Sequence, residues 1–410
     1  MFQFSFGEMP SRSLVGRVSR VDDLGPGAYG RTSIEVDCVD TQHDAPAIIK
    51  QINDGIDTQA FAVLRILTTK RRFKAMVGFA PAKGTWLHLR VGPTDLASRP
   101  IVFHSQLRDS GYTEQGRGSL LECDRLFSDL EGEPGPTPLG AAVPNYIGFG
   151  RAVEAASSFP SEAITSRSAI EVLLGHCNAV DHIIVRDVGQ ANFVTLFDAF
   201  GKAIAHFDVG WPLSFNGKTA PANFILQADD APVLLSHWDF DHVHGFYRFP
   251  HLQESTWIAP VQKLGPGKAR IARLLAGKNR LLGWSGGSVV AGELRLLDCS
   301  GTNQSNDIGH ALSVKMSDGS MVLCAGDASY SAITESLDYD FLVVTHHGAR
   351  FNGLVPLPLS TNSLAVVSVG KDNVYQHPNP DAIDKHRRAG WQVQFTSGVS
   401  GIVRNDRRIG

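Results

Sequence analysis

His237-Trp238-Asp239-Phe240-Asp241-His242 packs four metal-ligand side chains into six residues, and its reading decides the fold. In an extended segment the side chains of 237, 239 and 241 face one way and that of 242 the other, so one short loop can serve two adjacent cations. Imidazole nitrogen and carboxylate oxygen together suit zinc, manganese or iron. The cluster closes an apolar run through Val233, Leu234 and Leu235, and Gly245 follows it. That context reads as a strand tip rather than a solvated loop.

Working outward, the same texture recurs from about residue 181 onward. HIIVRDVGQ (182–190) runs into Asp187, and KAIAHFDVG (202–210) into Asp208. SMVLCAGD (320–327) ends in Asp327, YDFLVVTHHG (339–348) in His346 and His347, and SLAVVSVGKDNVYQH (363–377) reaches His377 past its strand. Ligand sites in layered α/β proteins sit where strand ends meet. Carboxylates and imidazoles gathered there are costly unless paired or metal-bound.

These motifs resemble those of the metallo-β-lactamase superfamily, whose usual HxHxDH stands here as HxDxDH, with Asp239 at the third position. They are most similar to the hydrolase domain of the bacterial competence DNA-uptake channel family. Asp187-Val188-Gly189-Gln190 resembles its DVGQG opening, and Phe207-Asp208-Val209-Gly210 its second-strand DxG. Ala325-Gly326-Asp327 resembles its GD motif, and His346-His347-Gly348 its HHG. Ser368-Val369-Gly370 with Tyr375-Gln376-His377-Pro378 resembles its SVG…YxHP ending. The likeness spans about residues 181–405 and implies an α/β chain carrying an αββα metallo-β-lactamase sandwich, with a dinuclear metal site on one edge. The family's membrane channel is not implied, because the chain shows no spanning segment.

The expected metal ligands are His237, Asp239, Asp241, His242, Asp327, His346 and His347, with one of the HHG pair facing the metals. His310, in GHALSVKM, is a further candidate ligand or an ordinary loop histidine, and Asn303 and Asn306 precede it. Three carboxylates favour two divalent ions, zinc or manganese, with Asp327 the natural bridge. Two ions roughly 3.5–4 Å apart can hold a hydroxide at neutral pH and clamp a phosphoryl group. Asp241 would orient or deprotonate that water, and His377 would complete a metal shell or protonate the leaving group.

Substrate signals are thinner. Between Thr256 and Gly292 stand six basic residues and no acidic one. Of these, Lys263, Lys268, Arg270 and Arg273, together with Arg350 after HHG, are candidate phosphate contacts. The alternative is a solvated helix face. A second basic group, from Lys385 to Arg408, reads as a surface helix and tail, and Trp211 and Trp238 read as packing residues.

The N-terminal third carries no catalytic constellation. Residues 13–21, 31–39, 85–91 and 99–107 read as strands, 57–68 as an amphipathic helix, and 162–176 as another helix. Gly25-Pro26-Gly27-Ala28-Tyr29-Gly30 matches the letters of a dinucleotide loop, but a strand-like run follows it, so it reads as a turn. EGEPGPTPLG (131–140) holds three prolines and three glycines in ten residues, which excludes a helix. The expected organisation is a separate β-rich α+β domain over 1–130, a linker and helix over 131–180, and the hydrolase domain over 181–410.

Composition bounds the rest. At 410 residues, 43% hydrophobic and 19% charged, the chain suits two or three packed domains and not disorder. No run approaches roughly 18 apolar residues, and no secretory signal is visible, so no membrane association is expected. Five scattered cysteines without a CxxC pair read as buried thiols in a reducing cytoplasm. The expected activity is metal-dependent hydrolysis of a nucleic acid or nucleotide phosphodiester, with a possible protein partner for the N-terminal domain. A lactone, thioester or β-lactam hydrolase is the first alternative, and a non-catalytic metal-stabilised module the second.

Overall fold

In the first third of the chain, strands with alternating apolar residues pair into a closed sheet. The computed structural model describes residues 7–24, 30–55, 58–94, 99–128, 143–301, 305–335, 338–351, 353–398 and 403–410. The turn at 25–29, the proline-rich stretch 131–140 and Asn303 lie outside them. Two compact units are present. Unit 1 comprises Met1–Phe159, Leu213–Phe215 and Lys263–Leu274, and unit 2 comprises Pro160–Pro212, Asn216–Gln262 and Leu275–Gly410.

Unit 1 contains β1 (Gly7–Glu8), β2 (Arg12–Asp23), β3 (Arg31–Asp40), α1 (Ala45–Asp54), β4 (Phe61–Thr69), α2 (Lys70–Val77), β5 (Thr85–Gly92), β6 (Ile101–Arg108), β7 (Gly111–Ser128) and α3 (Val143–Ala156). The strand order is β1-β7-β5-β2-β3-β4-β6, and β6 pairs back onto β7, closing β2 to β7 into a barrel. Leu14, Val18, Ile34, Val36, Leu64, Ile66, Leu87 and Leu89 alternate along their strands and pack into one core. The strands expected at 13–21, 31–39, 85–91 and 99–107 are all present.

The helix expected at 57–68 is not. Phe61–Thr69 forms β4 between β3 and β6, and its first six residues are buried. A strand covered on both faces reads as a continuous apolar run, which periodicity does not separate from a helix. The helices instead flank it, and Thr69 caps α2 by accepting from the Arg72 amide.

One contact within unit 1 joins residues distant in sequence. Helix α7 (Pro266–Gly277) begins against the side chain of Asp37 in β3. The amides of Gly267 and Lys268 donate to the two Asp37 carboxylate oxygens at 2.9 and 3.2 Å. Burial pushes the Asp37 carboxyl up to about 6, against the opposing pull of Lys268, the two amides and Arg17.

Unit 2 begins with a short 3₁₀ turn and α4 (Arg167–Gly175), inside the helix expected at 162–176. One sheet contains β8 (His182–Val185), β9 (Phe193–Phe197), β10 (Ala203–Val209), β11 (Val233–Leu234), β12 (Trp257–Pro260), β13 (Leu281–Trp284) and β21 (Arg407–Ile409). Its order is β13-β12-β11-β10-β9-β8-β21. The other contains β14 (Val289–Ala291), β15 (Leu294–Ser300), β16 (Ile308–Lys315), β17 (Met321–Cys324), β18 (Phe341–Val343), β19 (Leu364–Val367) and β20 (Gln392–Phe395), in chain order across the sheet.

A single core lies between these sheets. Ile183, Val194, Phe207, Leu234 and Ile258 of the first pack with Leu296, Leu312, Val322, Val343 and Val366 of the second. Helix α8 (Pro380–Arg388) packs Ala382 and Ile383 against the other side of the second sheet, beside Leu323 and Val367. In both sheets the central strands are parallel, β10 with β11 and β12, and β17 with β18 and β19. Their carboxyl ends lead into Ser236–His242, Asp327, His346–His347 and Ser368, which places the chemistry-bearing side chains at strand ends. Among the described residues no helix is long and apolar enough to cross a membrane.

Candidate functional site

The site grows from the tips of these parallel strands. After β11 the chain bends at Ser236, is extended at Asp239, and turns helically over α5 (Phe240–Val243) and α6 (Gly245–Arg248), where the sequence predicts an extended segment through His242. The turn brings the His242 ring beside that of His237, with centroids 4.2 Å apart. Two groups of metal-ligand atoms result among the described residues, one from His237, His242 and Asp327, the other from Asp241, His242 and His347. Within each group the atoms lie within 4.8 Å of one another.

Asp327 is the hub. Its Oδ1 lies 3.0 Å from His242 Nε2, and its Oδ2 lies 3.4 Å from His346 Nε2 and 3.8 Å from His237 Nε2. His237 Nε2 is also 3.4 Å from Asp239 Oδ2, and His347 Nε2 is 3.3 Å from Asp241 Oδ2. Both members of the HHG pair therefore reach the carboxylates, where one was expected to pack away. The His377 ring centroid stands 5.5 Å from that of His346 and 6.5 Å from that of His347.

The donor chemistry fits divalent metal ions. His237 Nε2, His242 Nε2, His347 Nε2 and both Asp327 oxygens are buried and make no hydrogen bond of proper geometry among the described residues. Leaving such atoms unsatisfied costs about 1–3 kcal/mol each, more for a charged group. A cation accepting their lone pairs removes that cost. The electrostatics agree. Burial alone would push His242 down, but the Asp327 and Asp208 carboxylates outweigh it and raise His242 well above its ordinary value. Asp327 is likewise held well below the usual carboxylate range, since His346, His242 and His237 overcome the effect of its burial. A field that favours a proton on His242 favours a metal cation in the same place.

A second layer of polar groups fixes these rings. Asp208, at the end of β10 and fully buried, lies with its Oδ2 2.7 Å from His242 Nδ1. The same oxygen accepts from Asn192 Nδ2 at 2.8 Å and Ser236 Oγ at 2.8 Å, while Oδ1 accepts from the Ser236 amide at 2.7 Å. His347 Nδ1 lies 2.8 Å from the Ser368 carbonyl. Asp208, His346 and His347 have φ of 55°, 50° and 54°, a left-handed region that costs non-glycine residues about 1 kcal/mol or more each. Gly210 is required for a related reason: a Cβ there would sit 1.8 Å from the Asp241 carbonyl oxygen.

The sequence motifs include Asp208, in DxG, and Ser368, in SVG, without giving either a role, and they leave out Ser236 and Asn192. The DxG motif was the available signal for Asp208; Ser236 had only its adjacency to His237. Asp187 serves elsewhere, paired with Arg404 at 2.6 and 2.8 Å.

Other expected site residues belong to neither ligand group. His310 lies on β16 with Nδ1 3.3 Å from the Leu235 carbonyl, belongs to neither ligand group, and is pushed down to about 4 by burial. Lys263, Lys268, Arg270 and Arg273 belong to the Lys263–Leu274 segment of unit 1. There Lys268 and Arg270 are both 3% exposed, and Arg270 donates to the Gly55 carbonyl at 2.5 Å. Arg273 reaches the Ser158 carbonyl at 3.4 Å, and Lys263 is exposed. Arg350 is exposed on unit 2 and pairs with Asp381 at 3.2 Å.

No family model matches the chain, and no curated protein matches it. Solved structures similar to it include a metallo-beta-lactamase HARLDQ-motif protein of Cronobacter sakazakii, at 14% identity and a TM-score of 0.24, covering 42% of this chain and 67% of that one. Zinc-bound PqqB from Methylobacterium extorquens is similar at 10% identity and a TM-score of 0.32, covering 56% of this chain and 99% of that one. A protein of unknown function from Enterococcus faecalis shares 13% identity at a TM-score of 0.26, covering 43% of this chain and 52% of that one. At TM-scores of 0.24 to 0.32 these likenesses carry no argument for the chemistry, which rests on the side chains themselves.

Proposed function

We propose that the chain is a metal-dependent hydrolase of the metallo-β-lactamase type, with an αββα sandwich and a dinuclear zinc or manganese centre, acting on a nucleic acid or nucleotide phosphodiester. The observation that carries the metal reading is the set of five buried ligand atoms at one place, His237 Nε2, His242 Nε2, His347 Nε2 and both Asp327 oxygens, without hydrogen bonds among the described residues.

His237, His242 and Asp327, with Asp239 and His346 beside them, would hold one ion, and Asp241 and His347 would help hold the other. When bound, the ions polarise a phosphoryl oxygen and acidify a water molecule. The protein's own groups do the rest. Asp241 takes the proton from the attacking water, and His377, beside the HHG pair, gives one to the leaving oxygen. Asp208 and Ser368 keep the His242 and His347 rings turned toward the site, so little reorganisation accompanies the reaction. The phosphodiester preference rests on the three-carboxylate donor set and on the HxDxDH resemblance to the competence-type hydrolases.

One observation favours a carbonyl substrate instead: Lys268 and Arg270, expected to face phosphates, are buried within unit 1. The deciding assay incubates the full chain with Zn²⁺ or Mn²⁺ and either bis(p-nitrophenyl) phosphate or single-stranded DNA, with lactone and thioester controls. Turnover of a phosphodiester that disappears in Asp327→Ala and His242→Ala supports the proposal. Turnover confined to the carbonyl substrates moves the function to that class, and inactivity on all four overturns the enzyme reading.

A further inference from the structure

Ser236 is buried, directly precedes the metal motif, and its hydroxyl stands among three groups at once. Oγ lies 2.8 Å from Asp208 Oδ2, 3.0 Å from His237 Nδ1 and 3.3 Å from His242 Nδ1. We propose that Ser236 is a positioning residue that fixes the tautomer of His237, placing the imidazole proton on Nδ1 and leaving the Nε2 lone pair free for a metal ion.

A serine hydroxyl has one proton to donate and two lone pairs to accept with. Asp208 Oδ2 is a carboxylate oxygen that also receives Asn192 Nδ2 and faces His242 Nδ1, so it can only accept. The Ser236 proton therefore goes to Asp208, leaving the hydroxyl oxygen as an acceptor toward His237. At 3.0 Å, His237 Nδ1 must then be the donor. The opposite tautomer, with the proton on Nε2, would direct the Nδ1 lone pair at a hydroxyl lone pair, or take the serine proton and set two oxygens 2.8 Å apart with no proton between them. Histidine side chains in water favour the Nε2–H form, which cannot ligate a metal through Nε2, so the protein must impose the other one.

The same logic distributes labour between the rings. His242 Nδ1, at 2.7 Å from Asp208 Oδ2, is oriented by the carboxylate directly, and His347 Nδ1 by the Ser368 carbonyl. His237 reaches Asp208 only through Ser236. One carboxylate thus orients two ligands, the first by contact and the second through a hydroxyl. Close packing leaves Ser236 little freedom, since a Cβ on Gly326 would lie 2.6 Å from the Ser236 Cβ.

The test reads the tautomer itself. The full chain, labelled with ¹⁵N-histidine and freed of metal, is examined by long-range ¹H–¹⁵N correlation at a pH where His237 is neutral. Wild type is expected to show His237 protonated on Nδ1; Ser236→Ala to shift it toward Nε2–H; and Ser236→Thr, which keeps the hydroxyl, to restore the wild-type pattern. Zinc affinity, measured against a chromophoric chelator, is expected to fall about 10–100-fold in Ser236→Ala and to recover in Ser236→Thr. This affinity arm rests on the metal reading proposed above, whereas the tautomer arm does not. A wild-type chain that binds no zinc defeats that reading alone. A wild-type His237 protonated on Nε2, or a Ser236→Ala variant with unchanged tautomer and affinity, overturns the role of Ser236. If Ser236→Ala fails to fold, the wild-type tautomer and the Ser236→Thr variant still decide.

Discussion

Two clusters of polar side chains in this molecule resemble active sites on paper, and they differ in what their atoms have left over. In unit 1, Ser13 Oγ lies 2.8 Å from His88 Nε2, and His88 Nδ1 lies 3.3 Å from Asp124 Oδ2, the order of a serine hydrolase triad. A catalytic triad has these same two partners, so what sets His88 apart is its cover: the ring is buried and Tyr146 stacks on it with centroids 3.8 Å apart. In unit 2, the Nδ1 atoms of His242 and His347 have partners while their Nε2 atoms converge, without hydrogen bonds, on carboxylates. The first cluster joins β2, β5 and β7 beneath an aromatic ring and reads as a structural tie between strands. The second holds capacity in reserve for something the chain does not supply. Residue types alone do not separate the two; the cover over His88 and the unsatisfied ligand atoms of unit 2 do.

Breaking the second cluster should have the largest effect. Asp327→Ala removes the shared carboxylate, and phosphodiester turnover should fall at least about 1000-fold, equivalent to roughly 4 kcal/mol of transition-state stabilisation. Steady-state kinetics at saturating metal would measure this. A loss below tenfold would deny Asp327 its place as hub.

The next effect separates a buried carboxylate that serves folding from those that serve the site. Asp37 rises from 3.8 to about 6 in the folded chain. Below 3.8 both folded and unfolded states hold its proton; between roughly 4 and 6 only the folded state does, so its contribution to stability falls across that window and is flat above it. The total is roughly 3 kcal/mol at most. Chemical denaturation from pH 4 to 7 should therefore show a steeper loss for wild type than for Asp37→Asn. Identical pH dependence for the two would contradict this assignment.

A smaller effect is expected where a carboxylate acts on a ligand rather than as one. Asp208→Asn should weaken zinc binding about 10–100-fold without abolishing it. Chelator competition would show whether affinity instead stays within threefold, which would remove Asp208 from the site. Least of all, His88→Ala should leave turnover unchanged and cost about 1–2 kcal/mol of stability. A loss of hydrolysis of any substrate in that variant would return the unit 1 cluster to consideration as a catalytic group.

The candidate site is legible in sequence as far as its candidate ligands follow strand ends in consecutive or near-consecutive positions. His237, Asp239, Asp241 and His242 share one loop, and His346 and His347 are adjacent, so local spacing suffices to group them. The supporting layer was not legible, since Asp208 meets Ser236 and His242 across 28 and 34 residues, and nothing in a strand end states which partner lies opposite. The basic run after Thr256 misled for a different reason. Its first half, Lys263–Leu274, belongs to unit 1, and a count of charges along the chain does not reveal that Lys268 and Arg270 are buried there. The fold shows the same division. The alternating strands of unit 1 were readable, whereas Phe61–Thr69, buried on both faces, looks helical until its neighbours β3 and β6 are known.

The central claim is that the convergent atoms of unit 2 hold divalent metal ions. Calorimetric titration of the metal-depleted full chain with Zn²⁺, run beside Asp327→Ala, tests it most directly. The account predicts saturable binding of two ions by the wild type and the loss of at least one in the variant. Absence of binding in the wild type, or identical binding by both proteins, would contradict it.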